Sequence, residues 1–166
     1  MTTVTDRIEK QIVLRAPLDR VWSAVSDVRQ FGAWFGVALD GPFEPGSRVC
    51  GRIVGTTVDP EVAKMQEPHA GTAFEVTVER VEPMRLLSFR WRPYPAEPGI
   101  DVATEATTLV EFELEAVPDG TVLRLTESGF DAIPLAQRTA AFASNEQGWA
   151  IQLTLVEKYL ALATQP

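Results

Sequence analysis

Residues Ala143 to Leu162 read ASNEQGWAIQLTLVEKYLAL, and the folding of this run decides the architecture of the rest. At 3.6 residues per turn, Trp149, Leu153, Val156 and Leu160 fall in one narrow stripe, with Ile151, Leu155, Tyr159 and Leu162 in a second stripe beside it. A helix apolar over so wide an arc needs another layer to bury it. The segments ahead of it supply that layer, because they alternate apolar and polar residues with the period of a strand that has one wet face. The spacing therefore predicts one long helix laid into the concave face of one sheet, with any space left between them as a binding site.

Upstream of the helix, Gly129 to Gln137 reads as a connection, and TVLRLTES at Thr121 to Ser128 as the last strand. In that strand Leu123, Leu125 and Glu127 share a face while Arg124 and Thr126 point the other way, so a carboxylate is aimed inward unless a bulge before Gly129 turns it out. Pro118-Asp119-Gly120 is hairpin chemistry, which pairs this strand antiparallel with the run in which Val110, Phe112 and Leu114 alternate with glutamates. Earlier still, Leu87, Phe89 and Trp91 alternate with Ser88, Arg90 and Arg92, and Phe74, Val76 and Val78 alternate with Glu75, Thr77 and Glu79. A proline-rich loop from Pro93 to Gly99 follows the first of these pairs, with order resuming near Thr104. Ser47 to Gly55 reads as a glycine-interrupted strand, and Thr56 to Ala70 as a long loop or lid. The chain opens with a strand at Ile8 to Arg15 and two short helices, Pro17 to Ser26 and Val28 to Phe35. The second gathers Phe31, Trp34 and Phe35 on one side. The predicted order is strand, two helices, five strands, helix.

The totals bound the function. A chain of 166 residues that is 45% hydrophobic reads as a single domain, residues 1–166, able to bury its own core. Cys50 is the only cysteine, which excludes an intrachain disulfide and an iron–sulfur cluster and suits a reducing, cytoplasmic compartment. The net charge of −8 argues against nucleic acid as a partner. No run approaches the roughly 18 apolar residues that membrane insertion needs. A reductase would require GxGxxG after a strand, and none is present, so the reading calls for no cofactor.

Glu127 is the sharpest candidate site residue, as a general acid, base or hydrogen-bond anchor inside an apolar cavity. The pairing of Glu127 with an arginine is the structural alternative. Trp22, Phe31, Trp34, Phe35, Phe74, Phe89, Trp91, Phe112 and Trp149, with Leu153, are the candidate pocket lining, and aromatics so spaced also serve as ordinary core. Asn145 or Glu146 is a candidate polar contact near the Trp149 stripe. His69 is the only histidine and reads as an exposed loop residue, so neither a Ser-His-Asp triad nor a metal site is expected.

The pieces IVLRAPLDRVWSAVSD (Ile12 to Asp27), FGAWFG (Phe31 to Gly36), TTLVEFELEAVPDGTVLRLTESGF (Thr107 to Phe130) and NEQGWAIQLTLVEKYL (Asn145 to Leu160) resemble the START and Bet v 1-like superfamily. Within it they are similar to the bacterial branch related to the activator of Hsp90 ATPase. The resemblance implies an α+β helix-grip fold, with an antiparallel sheet of six to seven strands curved around the long helix and a cavity between them. Binding of a small hydrophobic or aromatic molecule is the function expected. The alternatives are a cofactor-free cyclase or hydrolase using Glu127, and an Hsp90-activator-like co-chaperone. The eukaryotic co-chaperone carries a further N-terminal domain for which these 166 residues leave no room, so a chaperone partner is not expected. A homodimer is compatible with the resemblance.

Overall fold

The computed structural model describes residues 7–93 and 107–163. Ile8 and Leu14 are buried on one side of the first strand, β1 (Arg7–Leu14), while Arg7, Glu9, Gln11 and Val13 face solvent. Pro17 then opens α1 (Leu18–Ser26), whose Val21, Trp22, Ala24 and Val25 turn inward. Asp27 ends α1 and caps α2 (Val28–Phe35), its carboxylate accepting from the Arg29 N–H at 2.9 Å. The Trp34 indole donates to the Ala24 carbonyl at 2.8 Å, which locks the helices into a V. Gly36, at φ 98°, stops α2 in the left-handed conformation that favours glycine.

Six further strands follow: β2 (Val37–Leu39), β3 (Arg48–Ile53), β4 (Ala73–Glu82), β5 (Leu86–Trp91), β6 (Thr108–Val117) and β7 (Gly120–Ser128). They form a seven-stranded sheet in the order β1-β7-β6-β5-β4-β3-β2, every neighbour antiparallel. The last helix, α4 (Leu135–Ala163), lies across the inner face of this sheet. Trp149 of α4 meets Trp91 of β5 and Phe112 of β6 at ring-centroid distances of 5.4 and 5.8 Å. Leu153, Leu155, Val156 and Leu160 are buried with it in the hydrophobic core cluster. This is the α+β helix-grip architecture. Among the described residues no helix is long and apolar enough to cross a membrane.

Three elements differ from the sequence reading, each for a local reason. Strand β2 is too short to display a period, and it forms because Gly36 turns the chain back to pair Val37 with Ile53. At Gly51, opposite Leu39, a Cβ would come within 1.9 Å of the Ala38 carbonyl oxygen, so only glycine admits the pairing. Within the stretch read as a loop, Pro60–Gln66 forms α3, capped by the Asp59 carboxylate accepting from Glu61 and Val62 N–H groups. The long helix starts at Leu135 rather than Ala143, because alanine-rich LAQRTAAFA carries helix back to Pro134, where a further turn would lack its N–H donor. Except for Pro93, the 93–99 loop lies outside the described residues, as does the start of the run near 104.

Candidate functional site

The site grows from one register. Glu127 of β7 stands opposite Ile8 of β1 and Val110 of β6, so its sheet neighbours on both sides are apolar. Trp91 and Thr108 face each other across β5 and β6, and Thr108 is the diagonal neighbour of Glu127 on the same inner face. From the opposite layer α4 presents Asn145 and Trp149, one turn apart.

Glu127 is 0% exposed. Its Oε2 accepts from the Thr108 hydroxyl at 2.5 Å and the Trp91 indole N–H at 2.8 Å, and its Oε1 from the Trp149 indole at 2.8 Å. The Asn145 amide lies 3.1 Å from both oxygens. These partners offer donors, which suits an ionised carboxylate, and the short contacts are those of charge-assisted hydrogen bonds. Among the described residues no arginine, lysine or histidine pairs with it, so the bulge and arginine alternatives are both set aside. Glu127 clamps the stacked Trp91 and Trp149 rings in place across the two layers.

Those indoles form part of the wall of a half-open space. A pocket of about 100 Å³ lies between Phe35, Trp91, Asn145, Gly148, Trp149 and Gln152. A larger one of about 240 Å³ shares Phe35, Trp91 and Gln152 with it and extends past Phe74 and Ile53 to Gln66 and His69. The shared walls make the two spaces neighbours, and the larger one reaches α3 at Gln66. Gly148 contributes by having no side chain, since a Cβ there would meet nothing within 4 Å.

The Phe35 carbonyl at the end of α2 holds the mouth together. It accepts from the Gln66 amide at 3.1 Å and the Gln152 amide at 3.2 Å, while Gln66 Oε1 accepts from the Thr56 N–H at 2.7 Å. Gln152 Oε1 is buried and has no hydrogen-bond partner. Asp59, besides capping α3, is bonded to Lys158 of α4, and this contact straps the short helix to the long one beside the larger cavity. The Lys158 hydrogen bond, followed by those from the α3 backbone, holds the Asp59 carboxyl below its ordinary value of 3.8.

Of the residues singled out from sequence, the structure brings Phe35, Phe74, Trp91 and Trp149 together around the cavity, with Glu127 behind the indoles. Trp22, Phe31, Trp34, Phe89, Phe112 and Leu153 line neither space and pack in the core. Asn145 reaches the site; Glu146 is exposed. His69 is exposed and stands at the cavity mouth. Sequence reasoning passed over Thr108, Gly148, Gln152 and Gln66. A signal existed for two of them, since Asn145, Gly148, Trp149 and Gln152 follow the i, i+3, i+4, i+7 spacing of one helix face.

The arrangement can be set beside known proteins. Residues 15–161 match the profile of the family described as Activator of Hsp90 ATPase homolog 1-like protein. The chain belongs to this family. Solved structures agree on its fold. Protein MLL2253 from Mesorhizobium loti superposes with a TM-score of 0.70 at 22% identity, over 96% of this chain and 99% of that one. The Aha1 dimer from Colwellia psychrerythraea gives 0.66 at 16% identity, over 96% and 98%. DynU16, from the dynemicin biosynthetic locus, gives 0.66 at 25% identity over 94% of this chain, which spans 47% of that protein. No curated protein matches in sequence.

Proposed function

We propose that this chain binds a small apolar or aromatic molecule between α4 and the sheet, beneath α3. The observation that carries the reading is the pair of adjoining cavities walled by Phe35, Phe74, Trp91 and Trp149. Close-packed interiors leave few voids larger than a water, and an apolar space of roughly 150 Å³ already admits benzene, so about 240 Å³ suits a substituted ring. Burial drives such binding at about 25 cal/mol per Å² of apolar surface.

Glu127 supports binding better than catalysis. Both its oxygens are engaged by donors from β5, β6 and α4, so a proton-transfer role would first require one of those bonds to break. Its work in this reading is to fix the cavity wall.

Native mass spectrometry of the purified protein, followed by titration of single-ring aromatic compounds against tryptophan emission, tests the proposal. Trp91 lines both spaces and Trp149 the smaller one, so a seated ligand shifts tryptophan emission. No retained molecule and no emission change across the series would overturn it.

A further inference from the structure

Resting on the reading that the cavity holds a small apolar molecule, we infer that its preferred occupant is an organic amine: an aromatic ring joined to a protonated nitrogen. Three features of the walls converge on that chemistry. Glu127 is fully buried with its charge met by neutral dipoles alone, and Trp91 and Trp149, which bond it, are themselves cavity wall. Among the described residues neither cavity is lined by an arginine or a lysine, and the one titratable lining residue is His69, exposed at the mouth. The carboxylate field therefore reaches into the cavity without a fixed cation to cancel it.

Gln152 supplies the second feature. Its amide nitrogen is committed to the Phe35 carbonyl, because only the NH₂ end can donate there, and this orients the amide. The oxygen that remains is buried and unpartnered on a residue lining both spaces. A buried acceptor without a donor costs free energy that an incoming N–H recovers.

The rings add to both. Phe35, Phe74, Trp91 and Trp149 put aromatic rings in the walls, and the negative potential of a π-system attracts a cation within about 6 Å of the ring. Hydrogen bonding of both indole N–H groups to an anion polarises the rings further in that direction. A hydrocarbon gains only from burial, an amine gains from burial, field and acceptor together, and an anion is opposed by the field.

Four compounds of similar size separate these cases: phenethylamine, 2-phenylethanol, propylbenzene and 3-phenylpropanoate, titrated at pH 7 by calorimetry. The expected order places phenethylamine at least ten-fold tighter than propylbenzene, 2-phenylethanol between them, and 3-phenylpropanoate weakest. In Gln152→Leu, checked by thermal melt to be folded, the amine-to-hydrocarbon ratio falls at least five-fold while propylbenzene binding persists. Equal binding of amine and hydrocarbon, or preference for the carboxylate, overturns the inference and leaves the cavity reading standing. Binding of none of the four overturns both.

Discussion

Glu127 shows how much one side chain can organise when its partners come from different elements. Its hydrogen bonds reach β5, β6 and α4, and bonds to a charged group contribute about 1.5–3 kcal/mol each. Glu127→Gln keeps the shape and turns one acceptor into a donor facing an indole N–H or the Thr108 hydroxyl. The expected loss is about 2–4 kcal/mol, read as a lower urea midpoint at unchanged slope together with a shift in tryptophan emission. An unchanged midpoint would mean the clamp is dispensable. Gly148 makes the opposite case. It sits inside α4 with open space where a Cβ would go, and alanine is favoured over glycine in a helix by about 1 kcal/mol. Gly148→Ala is therefore expected to raise stability by about 0.5–1 kcal/mol in a denaturant melt while weakening ligand binding, since the methyl enters the smaller cavity. Of these two residues only Glu127 was legible in sequence, because period two fixes which face a strand residue takes. The spacing with Asn145, Trp149 and Gln152 could have placed Gly148 on the site's helix face, but the space left by its missing side chain depends on what lies across from it, which no local pattern records.

At the scale of elements, long periodic segments were readable and short ones were not. The strands carrying Leu87, Phe89 and Trp91, or Leu123 and Leu125, declare their faces over several repeats; β2 with three residues and α3 with seven cannot. What makes α3 a helix is its capping by Asp59 and Pro60; none of its residues is fully buried, and only Val62 packs partly buried against the core. Its polar ties are Asp59 to Lys158, and Gln66 to Phe35 and Thr56. An element with so little buried apolar contact opens more readily than the core. Asp59→Ala removes the cap and the strap together, so amide exchange across residues 60–66 is expected to quicken while the sheet exchanges as before. The pH dependence has a definite sign. Because the Asp59 carboxyl titrates below its ordinary value in the folded chain, its contribution is in place above that value and is lost as pH falls through the depressed one. Protection of α3, corrected for intrinsic exchange, should hold from neutrality down to the ordinary carboxylate range and fade only in stronger acid. Fading already near neutral pH would show that the strap does not govern the lid.

At the scale of the whole molecule the cavity belongs to neither layer. Phe74 and Trp91 come from the sheet, Trp149 and Gln152 from α4, and Phe35 from the end of α2, so an occupant touches every layer that unfolding separates. The helix, the strands and the place of a space between them were legible; the size and walls of that space were not, because they depend on the angle and register at which two correctly read layers meet. That shared location fixes how binding and folding are linked. A ligand that binds only the folded state stabilises it by RT ln(1 + [L]/Kd), about 2.7 kcal/mol at a hundredfold excess over Kd. For a domain of this size each kcal/mol moves the melting temperature by about 2–4 °C. Saturation with the tightest compound found should therefore raise the midpoint by about 5–10 °C, in one transition, with amide protection increasing in β5, α4 and α3 together. If α3 alone gained protection and the melting temperature stayed where it was, the occupant would be lying on the lid, and the cavity between the layers would not be its site.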